Sequence, residues 1–387
     1  MVASIVLAAM PAHLAQVFLV TAVEPEYLRV PAGVRDRVEH LPKPYSYVDQ
    51  ARVKDRFSGY ARPVRRAIGR ANVGLRFLKN TSYVRRLVQL IRQHRIDLVH
   101  LNNGFENLEG HLAASMTGRP VLVHAHGSAG DSWPTRYLAP RVAGALGIST
   151  AVETSLAKAG VPSGRHWMLL NPLTVEPSPL TTEERADARR HHGIAASDVT
   201  VGIVGRVVRW KGQLEFIRAF AVAAATRPST RALIIGEVTD NNDRYQGELQ
   251  AEIVRLGIKD RVTFTGYLSD ARRAYALLDV LVHSSIEPEP FGLVLTEAMV
   301  LGVPVIAADR GGPLEIVHDG EDGFLRNPLK TEDVASVIGT LVDRPDERAR
   351  IGTTARDSVL ERFDPSVYVT RLAAIYARLA PPDGTSR

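Results

Sequence analysis

Through most of the chain, short apolar runs alternate with stretches whose apolar residues recur every three or four positions. Runs of four to eight apolar residues bounded by Gly, Pro or Asn read as buried strands, and the longer spacing reads as amphipathic helices. In the first half the pattern predicts a helix over 83–91 and strands over 96–101, 121–125 and 144–148. A helix over 151–159, capped by Ser149, and a strand over 167–170 follow. Asn171-Pro172 opens a polar, proline-bearing stretch to about residue 180, whose lost periodicity marks a linker. The second half predicts strands over 199–204, 232–235, 262–264, 280–283 and 303–307. Helices are expected over 214–225, 245–256, 269–277 and 291–301, then over 331–342, 349–361 and 365–379. Alternation of this kind builds parallel sheets covered by helices on both faces. The expected fold is α/β, with two doubly wound Rossmann-like domains facing a cleft at the carboxyl ends of their strands. The expected boundaries are 1–174 and 175–364, with 365–387 as a helix crossing back to the first domain and a short tail.

Composition narrows the function classes. The 387 residues suit two to three domains at roughly 150 residues each. With 45% hydrophobic and 23% charged residues, disorder and coiled coil are excluded. The absence of cysteine excludes disulfides, thiolate metal sites and Cys nucleophiles. Residues 2–23 are almost continuously apolar, but no Lys or Arg precedes them, and Pro11, His13 and Gln16 interrupt the run. A helix over 3–15 followed by a buried strand over 16–21 fits better than a membrane span. The net charge of +6 is unevenly spread, because residues 25–95 carry 17 Lys/Arg against 5 Asp/Glu. The basic region 52–95, with Arg62, Arg65, Arg66, Arg70, Arg76 and Lys79, reads as a solvated helical face. Its alternative is a surface for anionic lipid or a phosphate-bearing acceptor. No nucleic-acid module accompanies the charge, so no nucleic-acid partner is expected.

Two stretches carry candidate chemistry. In Glu287-Pro288-Glu289-Pro290-Phe291-Gly292-Leu293-Val294-Leu295-Thr296-Glu297, a strand ending at 283–285 turns into a helix beginning near Phe291, Gly292 and Leu293. Unpaired amides and the positive dipole end at such a start favour an anion, and Gly292 allows close approach to the backbone. Glu289 and Glu297 are acceptor-only groups suited to sugar or ribose hydroxyls. A dipole-favoured charge for Glu289 and a solvated helix face for Glu297 are the alternatives. In Gly202-Ile203-Val204-Gly205-Arg206-Val207-Val208-Arg209-Trp210-Lys211-Gly212, a buried strand ends in glycine and cations before a helix. Arg206 and Lys211 suit a pyrophosphate. Neither a dinucleotide-type glycine triplet nor Gly-Lys-Ser/Thr is present.

Together these stretches resemble the retaining glycosyltransferases of family 4, which have the GT-B fold. The likeness rests on Glu289 and Glu297 with seven residues between, on Phe291-Gly292, on 302–306, 311–317 and 319–325, on Gly205-Arg206 and Lys211-Gly212, and on 265–268. It is strong from about 199 to 363, weaker from 96 to 172 and thin before 80. The resemblance implies that Arg206 and Lys211 hold a donor diphosphate, assisted by amides near Gly292 and Leu293. It implies that Glu289 meets donor-sugar hydroxyls and Glu297 the ribose, while main chain around Gly266 meets the base. It places His126, at the end of strand 121–125, against the donor sugar, with Asn102 and Asn103 on the acceptor side. His124 would lie on the same face, one position deeper. No Asp-x-Asp occurs, so no metal and no other cofactor is expected.

The implied activity is retaining transfer of a hexose-type sugar from a nucleotide-diphosphate sugar to a hydroxyl of an envelope glycan, glycolipid or small glycoside. The implied setting is cytoplasmic, at the inner face of the membrane. Three alternatives stay open: a nucleotide-sugar epimerase, a sugar-phosphate synthase, and a silent nucleotide-sugar binder. The family also begins with a strand and a Gly-rich turn that precede the residues found here. The expectation is a start upstream of Met1 and a first sheet lacking a central strand.

Overall fold

The computed structural model describes residues 19–21, 38–41, 68, 71, 74–76, 78–102, 104–178, 180–238 and 243–380. The helix expected over 3–15 lies outside these residues, as do Asn103 and Arg62, Arg65, Arg66 and Arg70. The chain divides into two compact units, residues 1–169 with 366–387, and residues 170–365.

In the first unit, β1 (Leu19–Thr21) pairs in parallel with β2 (Val38–His40). The order then runs α1 (Thr81–Gln93), β3 (Val99–Leu101), α2 (Leu108–Thr117), β4 (Val121–Ala125), α3 (Trp133–Leu138), β5 (Gly144–Gly147), α4 (Thr150–Lys158) and β6 (His166–Met168). Strands β3 to β6 form a parallel sheet in chain order. The Ser149 side chain caps α4, accepting from the Val152 amide at 3.3 Å.

The pattern did not announce α2, because its buried side includes Glu109 and His111. Glu109 is sealed from solvent, and a buried carboxylate needs a partner. Arg76 supplies it, through Nε at 2.6 Å and Nη2 at 2.5 Å, and the Asn80 amide donates to it at 2.8 Å. Arg76 was therefore misread as part of an outward basic face; it points into the unit. Arg86 pairs with Glu39 at 2.8 Å. Among the described residues no helix is long and apolar enough to cross a membrane.

The second unit opens with α5 (Thr182–His191), closed by a capping box between Thr181 and Glu184. Then follow β7 (Val199–Val204), α6 (Gln213–Ala224), β8 (Thr230–Ile235), α7 (Asp243–Arg255), β9 (Val262–Gly266), α8 (Ala271–Ala276) and β10 (Val280–His283). The remainder is α9 (Leu293–Val300), β11 (Val305–Ala308), α10 (Pro313–Ile316), β12 (Phe324–Arg326), α11 (Thr331–Asp343) and α12 (Pro345–Arg362). The six strands are all parallel, in the order β12-β11-β10-β7-β8-β9. From β7 the chain builds outward through β8 and β9, then returns to place β10 on the other side. The carboxyl ends of β7 and β10 are thus the point where strand order reverses. Strands β10 and β11 are buried at every position, as expected where helices cover both faces. The core gathers Phe216, Phe220, Leu249, Ile234, Val282 and Ile338.

The last helix, α13 (Pro365–Leu379), belongs to the first unit. Its Tyr368, Val369, Leu372 and Ala373 pack on Leu122, Leu146 and Leu169.

Candidate functional site

At the reversal point the chain leaves β7 through Gly205, with φ of 144°, and Arg206. It makes a tight turn at Arg209–Lys211 and enters α6 through Gly212, with φ of 74°. The chain leaving β10 is stitched to this turn. Ile286 N–H donates to Trp210 O at 2.9 Å, and Ser284 Oγ donates to Gly212 O at 2.8 Å. A Cβ on Gly212 would stand 1.8 Å from Ser284 O, so only glycine permits both the positive φ and the approach. The chain leaving β11 adds Gly311 and Gly312, and Gly312 N–H donates to Glu289 O at 2.8 Å.

Gly212→Ala is expected to cost at least about 3 kcal/mol, through strain and a backbone clash together. Gly266→Ala also meets a positive φ, 72°, but has open space around it, and should cost about 1 kcal/mol. Urea-unfolding midpoints of the two variants check the ranking. Equal losses would show that φ alone sets the cost.

Inside this frame Lys211 Nζ donates to both oxygens of Glu289 at 2.6 Å, and its stem passes over Gly205. Glu289 Oε2 also accepts from His283 Nε2 and from Ser285 Oγ, each at 2.9 Å. Burial pushes the Glu289 carboxyl up, but the hydrogen bond and charge of His283, then the Lys211 charge, outweigh it and hold it down to about 2. Arg206 is exposed, and its guanidinium has no partner among the described residues. The structure thus brings Lys211 and Glu289 together, with Arg206 on the same loop.

Glu297 lies on α9, and the solvated-face alternative for it is overturned. Its Oε1 accepts from Thr174 Oγ1 at 2.7 Å and its Oε2 from Tyr275 OH at 2.8 Å. Burial raises its carboxyl, against the pull of these two hydrogen bonds. One more expectation changes. Phe291 is 2% exposed and packs edge-on against Phe363, so its side chain belongs to the core. Gly292 is buried with φ of 109°, and a Cβ there would stand 3.2 Å from Leu295 Cδ1. It stands at the N-terminal cap of α9. The amides of Leu293 and Val294 have no acceptor among the described residues, which leaves two donors at the helix start. Gly266 O accepts from Gly236 N–H at 2.9 Å. Sequence reasoning missed His283, Ser285, Thr174 and Tyr275. The polar His-Ser-Ser run at the end of an apolar strand was the available signal for the first two.

In the first unit His126 follows β4, and its Nε2 lies 2.7 Å from Asn102 Oδ1. The ring of His124 lies 4.4 Å from that of His126 and 5.4 Å from that of His100, whose Nδ1 meets Tyr376 OH at 2.7 Å. Burial lowers all three imidazoles, His100 to about 4 and His124 well below its ordinary value.

Comparison with known proteins fits this geometry. The family described as glycosyl transferases group 1 matches residues 184–358, and glycosyltransferase family 4 matches residues 43–175. The Bacillus subtilis protein EpsD is 28% identical over 317 residues, 77% of this chain and 81% of its own. A D-inositol 3-phosphate glycosyltransferase of Streptomyces scabiei is 31% identical over 290 residues, 68% of this chain and 64% of its own, so the match spans just under two thirds of that relative. Among solved structures, HepE of Anabaena in complex with UDP is 29% identical, with a TM-score of 0.70, over 76% of this chain and 82% of that one.

Proposed function

The chain belongs to the glycosyltransferases of group 1 and family 4, and on that premise we propose that it transfers a hexose-type sugar from a nucleotide-diphosphate sugar to a hydroxyl acceptor. The observation that carries the proposal is the Lys211–Glu289 pair at the reversal point of a parallel sheet, where ligands of such sheets bind. A cation and a carboxylate in contact match the two halves of a sugar diphosphate. The diphosphate is an anion that Lys211 can hold, and the sugar offers hydroxyls that Glu289 can accept.

In the proposed reaction Lys211 and Arg206 stabilise the charge that grows on the diphosphate as the glycosidic bond breaks. The free amides of Leu293 and Val294 add two fixed donors. Preorganised cations take the part that a divalent ion plays in metal-assisted transfer, so the reading needs no metal. Glu297, fixed by Thr174 and Tyr275, retains lone pairs for ribose hydroxyls. The acceptor hydroxyl attacks on the face the diphosphate leaves, which gives retention. The departing phosphate takes the acceptor's proton. The basic stretch 52–95, without Arg76, serves a phosphate-bearing acceptor or an anionic lipid head group.

HepE, whose structure contains UDP, makes uridine donors the first to test. A thermal-shift panel of UDP- and GDP-sugars, followed by product analysis, checks the reading. A donor at 100 times its Kd should stabilise the protein by about 2.7 kcal/mol, and transfer should require an acceptor. Sugar epimerisation without acceptor, or stabilisation by no donor together with no transfer, would sink it.

A further inference from the structure

Glu289 is gripped from two sides. Lys211 reaches both of its oxygens, while His283 Nε2 and Ser285 Oγ both address Oε2. The His283 side chain is 3% exposed, and its Nδ1 is buried with no hydrogen-bond partner among the described residues. With nothing for Nδ1 to donate to, the ring carries its proton on Nε2, aimed at Glu289. Packing does not account for such a residue. An apolar side chain would fill the end of β10 without burying a nitrogen that has no partner.

We propose that His283 is a positioning residue for Glu289: its Nε2–H, with the Ser285 hydroxyl, fixes Oε2 so that the carboxylate stays charged and aimed when the donor diphosphate draws Lys211 away. The inference rests on the transferase reading for its purpose and on the free protein for its contact. Lys211 is the only donor on Oε1 among the described residues. Movement of Lys211 to a phosphate therefore opens Oε1 to the sugar hydroxyls while Oε2 stays anchored. His283 thereby couples diphosphate binding to sugar recognition, without touching either ligand.

The test uses the full chain with His283→Leu, which removes the donor, and His283→Gln, which keeps an N–H of similar reach. In the free protein, the Glu289 carboxyl followed by carbon NMR against pH should titrate clearly higher in the Leu variant and between Leu and wild type in the Gln variant, which keeps the hydrogen bond but not the His283 charge. Burial then acts on the carboxyl with one hydrogen bond fewer to oppose it. An unchanged titration in the Leu variant overturns the inference whatever the reaction.

With UDP-glucose as donor, the Leu variant should lose about 10–100-fold in kcat, as other outer partners of site groups do. Its affinity for UDP alone should hold, and the Gln variant should recover most of the rate. If UDP affinity falls in step with kcat and glutamine restores neither, His283 only supports the fold, and the inference fails. If the titration moves as expected but wild type transfers no sugar from any donor, the transferase reading falls and the His283–Glu289 contact stands.

Discussion

Replacing Lys211 by alanine is expected to lower sugar-transfer turnover by about 10²–10³-fold, the usual cost of removing one preorganised group that stabilises developing charge. Stability should fall far less. The Lys211 and Glu289 side chains are 14% and 13% exposed, between a surface pair and a sealed one. Glu289 also keeps His283 and Ser285 when the lysine is gone. A loss of about 1–3 kcal/mol follows, since the carboxylate is left partly but not wholly uncompensated. Arg206→Ala separates the two effects further. Its guanidinium, exposed and without a partner among the described residues, should leave stability within about 0.5 kcal/mol, while turnover drops. Lys211→Arg restores charge but not the compact ammonium between two oxygens, and only part of the rate should return. Turnover of the donor found in the nucleotide-sugar panel, measured beside urea unfolding, decides. Undiminished kcat in Lys211→Ala would remove that residue from the site.

The pH dependence of this pair has a definite sign. A carboxyl held down to about 2 contributes stability above its unfolded value of 4.5, and that contribution is lost only as pH falls from 4.5 towards 2. A rate limb above pH 5 therefore belongs to another group.

The second large effect is acid lability of the first unit. His100, His124 and His126 stack beside β3 and β4 with their ionisation lowered, burial first and neighbouring imidazole charge second for His100 and His124. A histidine whose folded value lies below its unfolded value near 6.5 stabilises the neutral fold above that pH. Stability drains as pH drops through the interval, because the unfolded chain binds the proton first. For His100 the interval runs from 6.5 to about 4, which amounts to about 3 kcal/mol. His124 adds to it, being 1% exposed with its Nε2 unpartnered among the described residues. Urea midpoints should therefore fall steeply between pH 6.5 and 4.5. His124→Leu removes one titrating group and should lessen that slope by about 1.4 kcal/mol per pH unit. A slope indifferent to the substitution would take His124 out of the linkage.

Much of the architecture was legible before any coordinates. Strands over 199–204 and 280–283 fall where the apolar runs place them, and the final helix spans Pro365–Leu379 as its period indicates. Helix ends moved where a cap decided them. The helix expected from 269 begins at Ala271 because the Asp270 side chain accepts from the Arg272 amide at 2.9 Å. The one expected from 349 begins at Pro345, with Asp346 and Glu347 favoured in its first turn. Short elements such as α3, α10 and β12 offered too few residues for a period to show.

By itself the sequence determined the α/β alternation, the family likeness and the two stretches that carry Lys211, Glu289 and Glu297, because hydrophobic period and motif spacing are local properties. Tertiary structure alone decided what those residues do to one another. Lys211 and Glu289 are far apart in the chain and meet only because β10 inserts beside β7. Strand order follows from crossovers and packing that no local period encodes. The same holds for Arg76, whose charge looked outward until Glu109, on a helix with no apolar stripe, required a buried partner. It holds for His283 as well, whose purpose becomes visible only when the carboxylate it holds is folded against it.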